Sequence, residues 1–99
     1  MSRPRYYWYG NVKKMIMKHD ILENDRSLQA SILRFAIEEA MDETAKLPHG
    51  EERIQAIDDI LFKNEKSYES VAREFHYEQR TIQGWITSFV NLVGKKAGY

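Results

Sequence analysis

Polar side chains of the kinds that recognise DNA bases are concentrated between residues 79 and 87. On a helix, most of them would share one side: Gln79, Arg80, Gln83 and Thr87, with Thr81 near the helix start. In the major groove an arginine donates two hydrogen bonds to guanine, and a glutamine pairs in a similar way with adenine. Gly84 on the same side would let a helix approach a base edge closely. The spacing therefore predicts a surface that contacts bases.

Basic and hydroxyl residues lie just before this polar stretch. Their side chains commonly contact phosphate, which positions a protein on a duplex without specifying its sequence. They are Lys63, Lys66, Ser67 and Arg73. The predicted DNA-binding residues are accordingly Lys66, Ser67, Arg73, Gln79, Arg80, Thr81, Gln83 and Thr87.

Residue patterns for catalysis or metal binding are weak by comparison. His19, His49 and His76 are far apart, and none has the spacing of a zinc motif. A phosphate-cradling glycine-rich loop is also missing from the sequence. Acidic pairs such as 38–39, 42–43 and 58–59 lie beside apolar stripes, where solvated helix faces explain them. We therefore expect no enzyme, no metal site and no cofactor.

The two helices that would expose the polar residues 79–87 are predicted to meet at a corner. The spacing predicts a helix over 67–75 with Val71, Ala72 and Phe75 inward. The next apolar stripe is offset, as expected if a new helix begins near Glu78 and runs over 78–93: Ile82, Trp85, Ile86, Phe89 and Val90. Two short helices joined by a tight corner form a helix-turn-helix. An ordinary corner in a small helical bundle is the alternative.

The corner residue itself departs from the usual pattern. His76 stands where glycine is common, because the backbone there often takes a left-handed conformation. Histidine tolerates that conformation better than branched residues do. Tyr77 is predicted to fill the apolar slot just past the corner, and Glu78 replaces the usual Ser or Thr at the helix start.

The rest of the chain also shows helical periodicity. A first helix is predicted from about Tyr6 to His19 after a start at Ser2 and Pro4, and a third from about Glu51 to Phe62. Between them, Ser27 or Asp25 caps a helix that ends near Lys46 and has a wide apolar face: Leu28, Ile32, Phe35, Ala36, Ile37, Ala40 and Met41. We predict an all-α compact bundle of about five helices in one domain, 1–99. Residues 1–46 would form an N-terminal helical hairpin, and 51–99 a helix plus the helix-turn-helix.

Composition limits the class of protein. The chain has 99 residues, no cysteine and a net charge of zero. Residues 1–20 carry five Lys/Arg against one Asp (+4), residues 21–60 four against ten (−6), and residues 61–99 six against four (+2). No apolar run is long enough to span a bilayer, and the first residues do not resemble a signal peptide. We expect a cytoplasmic protein. The basic ends favour an anionic partner, and a solvated helical surface is the alternative explanation of the same charge pattern.

The aromatic segment "RPRYYWYG" has two interpretations. Basic residues between aromatic ones can form an arm for nucleic acid, in which Arg3 and Arg5 touch phosphate. Large aromatic side chains at helical spacing are more often part of a core. We favour a core position for Trp8.

The stretch "SYESVAREFHYEQRTIQGWITSFV" resembles the C-terminal helix-turn-helix of small phage and prophage transcriptional regulators of Gram-positive bacteria, the ArpU/RinA-like group. Those domains in turn resemble sigma-factor region 4. With the helix before it, the resemblance covers about half of the chain, and it implies late-gene transcription activation by binding double-stranded DNA at a promoter-proximal site. We also expect RNA polymerase as a partner. A homodimer is expected, because one recognition helix gives little affinity. The alternative function is a protein-interaction module that uses the acidic segment 38–59.

Overall fold

Five helices make up the part of the chain that the structure, a computed structural model, describes, namely residues 6–18 and 24–99. They are α1 (Tyr9–Met17), α2 (Leu28–Ala45), α3 (Gly50–Ile57), α4 (Tyr68–Phe75) and α5 (Gln79–Lys96), with a π-helical turn (Asp58–Phe62) that continues α3. No strand occurs in those residues. The all-α prediction is confirmed, and α5 extends three residues beyond the predicted end at 93. None of the described helices combines the length and the apolar character that crossing a membrane requires.

Several sequence-based predictions lie outside the described residues. They are the helix start at Ser2 and Pro4, the phosphate contacts of Arg3 and Arg5, and the predicted end of the first helix at His19.

Serine side chains start two of the helices, as predicted. Ser27 has extended backbone, and its Oγ accepts a hydrogen bond from the Ala30 amide at 3.2 Å. Ser67 does the same for the Ser70 amide at 3.1 Å. Asp25 supports the first cap, because its carboxylate accepts from the Ser27 amide at 2.8 Å. That hydrogen bond holds the pKa of Asp25 below its ordinary value.

The core is built around α5, which packs against each of the other four helices. Its buried stripe is the one that the sequence predicts, extended by a further turn: Ile82, Trp85, Ile86, Phe89, Val90, Val93 and Gly94. The helices of the predicted N-terminal hairpin, α1 and α2, both pack against α5. Contacts on several sides therefore hold the remaining exposed side of α5 in place.

Trp8 is a core residue, which confirms the favoured interpretation. Its side chain is 5% exposed, stacks on Tyr6 with ring centroids 4.8 Å apart and lies 5.7 Å from the ring of Tyr99. Gly94 makes this arrangement possible, because a Cβ at that position would overlap the indole ring. Trp8 thereby fixes the start of α1 to the last turns of α5.

The predicted buried face of α2 is wrong in part. Leu28, Ile32 and Phe35 are exposed, by 77%, 43% and 62% respectively. Ala36 and Ala40 are buried, as predicted. The buried residues of α2 are mostly small: Ala30, Leu33, Ala36, Ala40 and Thr44. Ile37 and Met41 are half-buried against the core, as predicted. Alanines allow α2 to approach the bulky stripe of α5 closely, since the distance between packed helices depends on the side chains between them.

Candidate nucleic-acid interface

The corner between α4 and α5 has the conformation that the helix-turn-helix interpretation requires. His76 ends α4 in the left-handed region, with φ 63° and ψ 38°. The Tyr77 amide then donates to the Ala72 carbonyl at 2.9 Å, which closes the end of α4. Glu78 has extended backbone and starts α5 without a side-chain cap. Three residues therefore separate the two helices, so that the predicted break is confirmed.

Tyr77 links this corner to the start of α3. Its ring meets the edge of Trp85, with centroids 5.1 Å apart. Its hydroxyl donates to a Glu52 carboxylate oxygen at 2.9 Å and lies 3.2 Å from Nδ1 of His49. The hydrogen bond to Glu52, together with desolvation, raises the pKa of Tyr77 above its ordinary value. The sequence predicts the apolar contact of the ring and gives no signal for the polar partners, which are 25 and 28 residues away.

The first turns of α5 present an exposed polar row, which we define as Gln79, Arg80, Gln83 and Gly84. The space around the Gly84 Cα is open, with no heavy atom within 4 Å of a Cβ built there. Thr81 and Thr87 flank the row and are half-buried rather than exposed. Ile82 and Trp85 on the opposite side are buried. The row is thus rigidly attached to the core while its side chains extend into solvent.

Thr87 marks one edge of the polar row, where α1 approaches. The Tyr9 hydroxyl lies 3.5 Å from Thr87 Oγ1. Four residues further along α1, the Lys13 ammonium donates to the Tyr68 hydroxyl at 2.8 Å and lies 5.4 Å from the centre of that ring. One turn of α1 therefore spans from α5 to the first residue of α4.

The predicted phosphate-contacting residues have partners within the protein. Arg73 donates to Glu69 at 2.9 Å on the exposed side of α4. The Ser67 hydroxyl caps α4 and donates to Ser70 Oγ at 3.1 Å. Lys63 pairs with Asp58 at 3.2 Å. These side chains remain near the surface, and each has to exchange a protein partner for a phosphate in order to bind DNA.

Lys66 has a structural role that the sequence does not reveal. Its ammonium pairs with Glu74 at 2.7 Å and lies 3.4 Å from Oδ2 of Asp59. Asp59 is 4% exposed, and among the described residues Lys66 is the one partner of this oxygen. A buried carboxylate is costly unless a cation compensates it. Hydrogen bonding to Glu74 raises the pKa of Lys66, so the ammonium stays charged at neutral pH.

The prediction that the acidic pair 58–59 lies on a solvated helix face is wrong for Asp59, which is buried. At α-helical spacing Asp59 falls on the side away from Ile57 and Leu61, so periodicity gives no signal for its burial. The ion pair with Lys66 compensates the buried charge. The π-helical turn contributes as well, because the Asp59 carbonyl accepts the amide of Glu65 at 3.1 Å and brings the following loop back to the helix.

The charge of the helix-turn-helix is balanced. Residues 63–88 contain four Lys/Arg and four Glu. Of the four cations, only Arg80 lacks an acidic partner among residues 6–18 and 24–99. Residues 6–18, in contrast, contain three lysines and no acid. Uncompensated positive charge next to the polar row therefore comes from α1 and from Arg80.

Comparisons with known proteins add no relative: no family model, curated protein or solved structure matches the chain significantly. In the part of the chain that the structure describes, no group of three or more His, Cys, Asp or Glu side chains could hold a metal ion.

Proposed function

We propose that this protein is a sequence-specific, double-stranded DNA-binding transcriptional regulator that uses α4 and α5 as a helix-turn-helix. The observation that carries the proposal is the exposed polar row on a helix whose other side is buried. Arg80 and Gln83 project from this row, and their side chains match the hydrogen-bonding edges of guanine and adenine in the major groove. The left-handed corner at His76 supports the proposal, because it permits two short helices to meet at the angle that such motifs use.

The resemblance to ArpU/RinA-like phage and prophage regulators makes the proposal more specific. It implies activation of late-gene transcription from a promoter-proximal site. Contact with RNA polymerase is a further part of the proposal, and so is binding as a homodimer to a two-part site, because one recognition helix gives little affinity.

The test begins with selection of bound duplexes from a random pool, followed by binding measurements on the selected site. Arg80→Ala with Gln83→Ala should weaken binding to that site, with a loss of about 1–3 kcal/mol for each base pair contact. The matched control is Arg26→Ala with Gln29→Ala, an exposed Arg and Gln at the same spacing on either side of the Ser27 cap of α2. Both double variants should melt like the wild type, because exposed polar side chains contribute little to folding. Equal binding by the two double variants would contradict the proposal.

A second candidate function is protein interaction without DNA binding, and one observation favours it. Leu28, Ile32 and Phe35 form an exposed apolar strip along α2. The acidic second half of the same helix adjoins the strip, so that a partner with an apolar groove and a basic rim would fit. A stable complex with a protein partner that requires Phe35, combined with no measurable binding to any duplex, would replace the DNA-binding proposal with this one.

A further inference from the structure

We propose that α1 supplies the principal phosphate contact of the DNA-binding surface, through Lys13 and Lys14, at a position outside the helix-turn-helix. The inference rests on the proposed function and goes beyond it, because the residues that sequence motifs indicate for phosphate contact are all in or just before α4.

The first argument is the availability of charge. Lys63, Lys66 and Arg73 are each bound to a carboxylate of the protein, as described above. Lys13 donates to a neutral phenol, and its charge is not compensated by that contact. Lys14 is exposed, and within the described residues no carboxylate pairs with either lysine. Each of these two ammonium groups can therefore bind a phosphate without breaking an existing ion pair.

The second argument is position. The Tyr9–Thr87 contact holds α1 against the edge of the polar row, and the Lys13–Tyr68 contact holds it at the start of α4. Tyr9 and Lys13 are four residues apart, so they lie about 6 Å from each other along the axis of α1. The major groove is about 12 Å wide, so the phosphates on either side of a helix in the groove lie at a similar distance from the axis of that helix. The first helix of the motif crosses this backbone. In this protein that first helix is α4, and the ammonium of Lys13 lies at Tyr68, its first residue.

The third argument is rigidity. α1 is anchored by Val12 and Ile16, which are fully buried, and by Trp8 against Gly94. Tyr68 additionally fixes the Lys13 side chain, which would otherwise have several freely rotating bonds. A cation that is already positioned loses less conformational entropy when it binds phosphate.

The experiment measures the affinity for a fluorescent mixed-sequence duplex between about 50 and 200 mM salt, because each phosphate contact contributes about −0.9 to the slope of log K against log[salt]. Lys13→Ala with Lys14→Ala should reduce the magnitude of the slope by about 1.8 and weaken binding at 0.1 M salt by about fivefold to eightfold per lysine. The control for a single lysine is Lys95→Ala, which removes an exposed charge from the last turn of α5. Lys95 is twelve residues beyond Gln83, about 18 Å further along the helix axis, so we expect an unchanged slope.

Two single variants separate phosphate binding from folding. Lys14→Ala removes an exposed side chain and should reduce the slope by about 0.9 with an unchanged melting temperature. Tyr68→Phe keeps the ring and removes the hydroxyl that holds Lys13, so binding should weaken while the slope changes little.

The outcomes are distinguishable. If the wild type binds duplex DNA and the Lys13 and Lys14 variants behave like Lys95→Ala, the inference about α1 is wrong while the proposed function stands. If the wild type binds no duplex, both are wrong. If a duplex RNA of the same sequence is bound more tightly, with the same dependence on Lys13 and Lys14, the contact exists but DNA is not the ligand, and the inference as stated fails.

Discussion

Two helices of equal length, α2 and α5, show when apolar periodicity identifies a buried face and when it does not. Both have 18 residues. In α5 the large apolar side chains fall in a single arc, and that arc is buried. In α2 the apolar residues cover most of the circumference, and the side with Leu28, Ile32 and Phe35 faces solvent. The pattern is decisive only where one arc holds the large side chains and the other is polar.

The physical basis of the difference is the partner that each helix meets. Because α5 contacts four other helices, it can bury a wide arc of bulky side chains. α2 packs against the bulky arc of α5, and its alanines fit there at a shorter distance than Ile32 or Phe35 would allow. The following variants test this comparison, in order of the effect expected.

Among the substitutions in α5, Trp85→Ala should cause the largest loss of folding stability. The side chain is 6% exposed, and its ring contacts Tyr77 and lies 5.5 Å from the Arg53 guanidinium. We expect the free energy of unfolding in denaturant to fall by about 3–5 kcal/mol, since truncation of a buried Trp leaves a large cavity. A loss of less than about 1 kcal/mol would show that α5 is not the centre of the core.

Leu33→Ala and Phe35→Ala form a matched pair on the two sides of α2. Leu33 is buried, so its truncation should lower the free energy of unfolding by about 2–5 kcal/mol. Phe35 is exposed, so its truncation should change this free energy by no more than about 0.5 kcal/mol. The reverse order would mean that the face predicted from sequence is the buried one after all.

Gly94→Ala and Gly84→Ala compare the two ends of α5. A Cβ at Gly94 overlaps the Trp8 indole, and we expect a loss of about 1–3 kcal/mol from overpacking. A Cβ at Gly84 meets open space, and alanine there should raise the free energy of unfolding by about 0.5–1 kcal/mol through helix propensity. Thermal melting of both variants measures the difference. Equal shifts of the melting temperature would contradict the close contact between α1 and α5.

Tyr77→Phe tests the polar link between the corner and α3, with the smallest expected effect. Because the folded state raises the pKa of Tyr77, the neutral phenol is favoured in the fold. This stabilisation is fully present below the unfolded pKa of about 10 and is lost as the pH rises through the higher folded value. The stability difference between wild type and Tyr77→Phe should therefore be constant near neutral pH and shrink above about pH 10. Lysines also titrate above about pH 10, but they are the same in both proteins and cancel in the comparison. If the stability difference between wild type and Tyr77→Phe persisted at high pH, the Tyr77 hydroxyl would not stabilise the fold through its bond to Glu52.

Much of the candidate site was predictable from local features. The serine caps at Ser27 and Ser67, the break at His76 and the stripe from Ile82 to Val90 each depend on a few neighbouring residues, and the structure has all of them. The exposed positions of Gln79, Arg80 and Gln83 follow from that stripe by the geometry of a helix. The half-buried state of Thr87 was not predictable, because it results from the approach of α1, whose Tyr9 is 78 residues away.

The sequence by itself determined the helical class, the corner and the chemistry available on the polar row, because helix propensity, capping and periodicity act over fewer than about five residues. Only the tertiary structure decided which side of α2 is buried, that Lys66 compensates Asp59, and that Lys13 lies beside the start of α4. Each of these depends on how closely two distant helices approach. That distance is set by the volumes of the side chains between them, which periodicity does not encode.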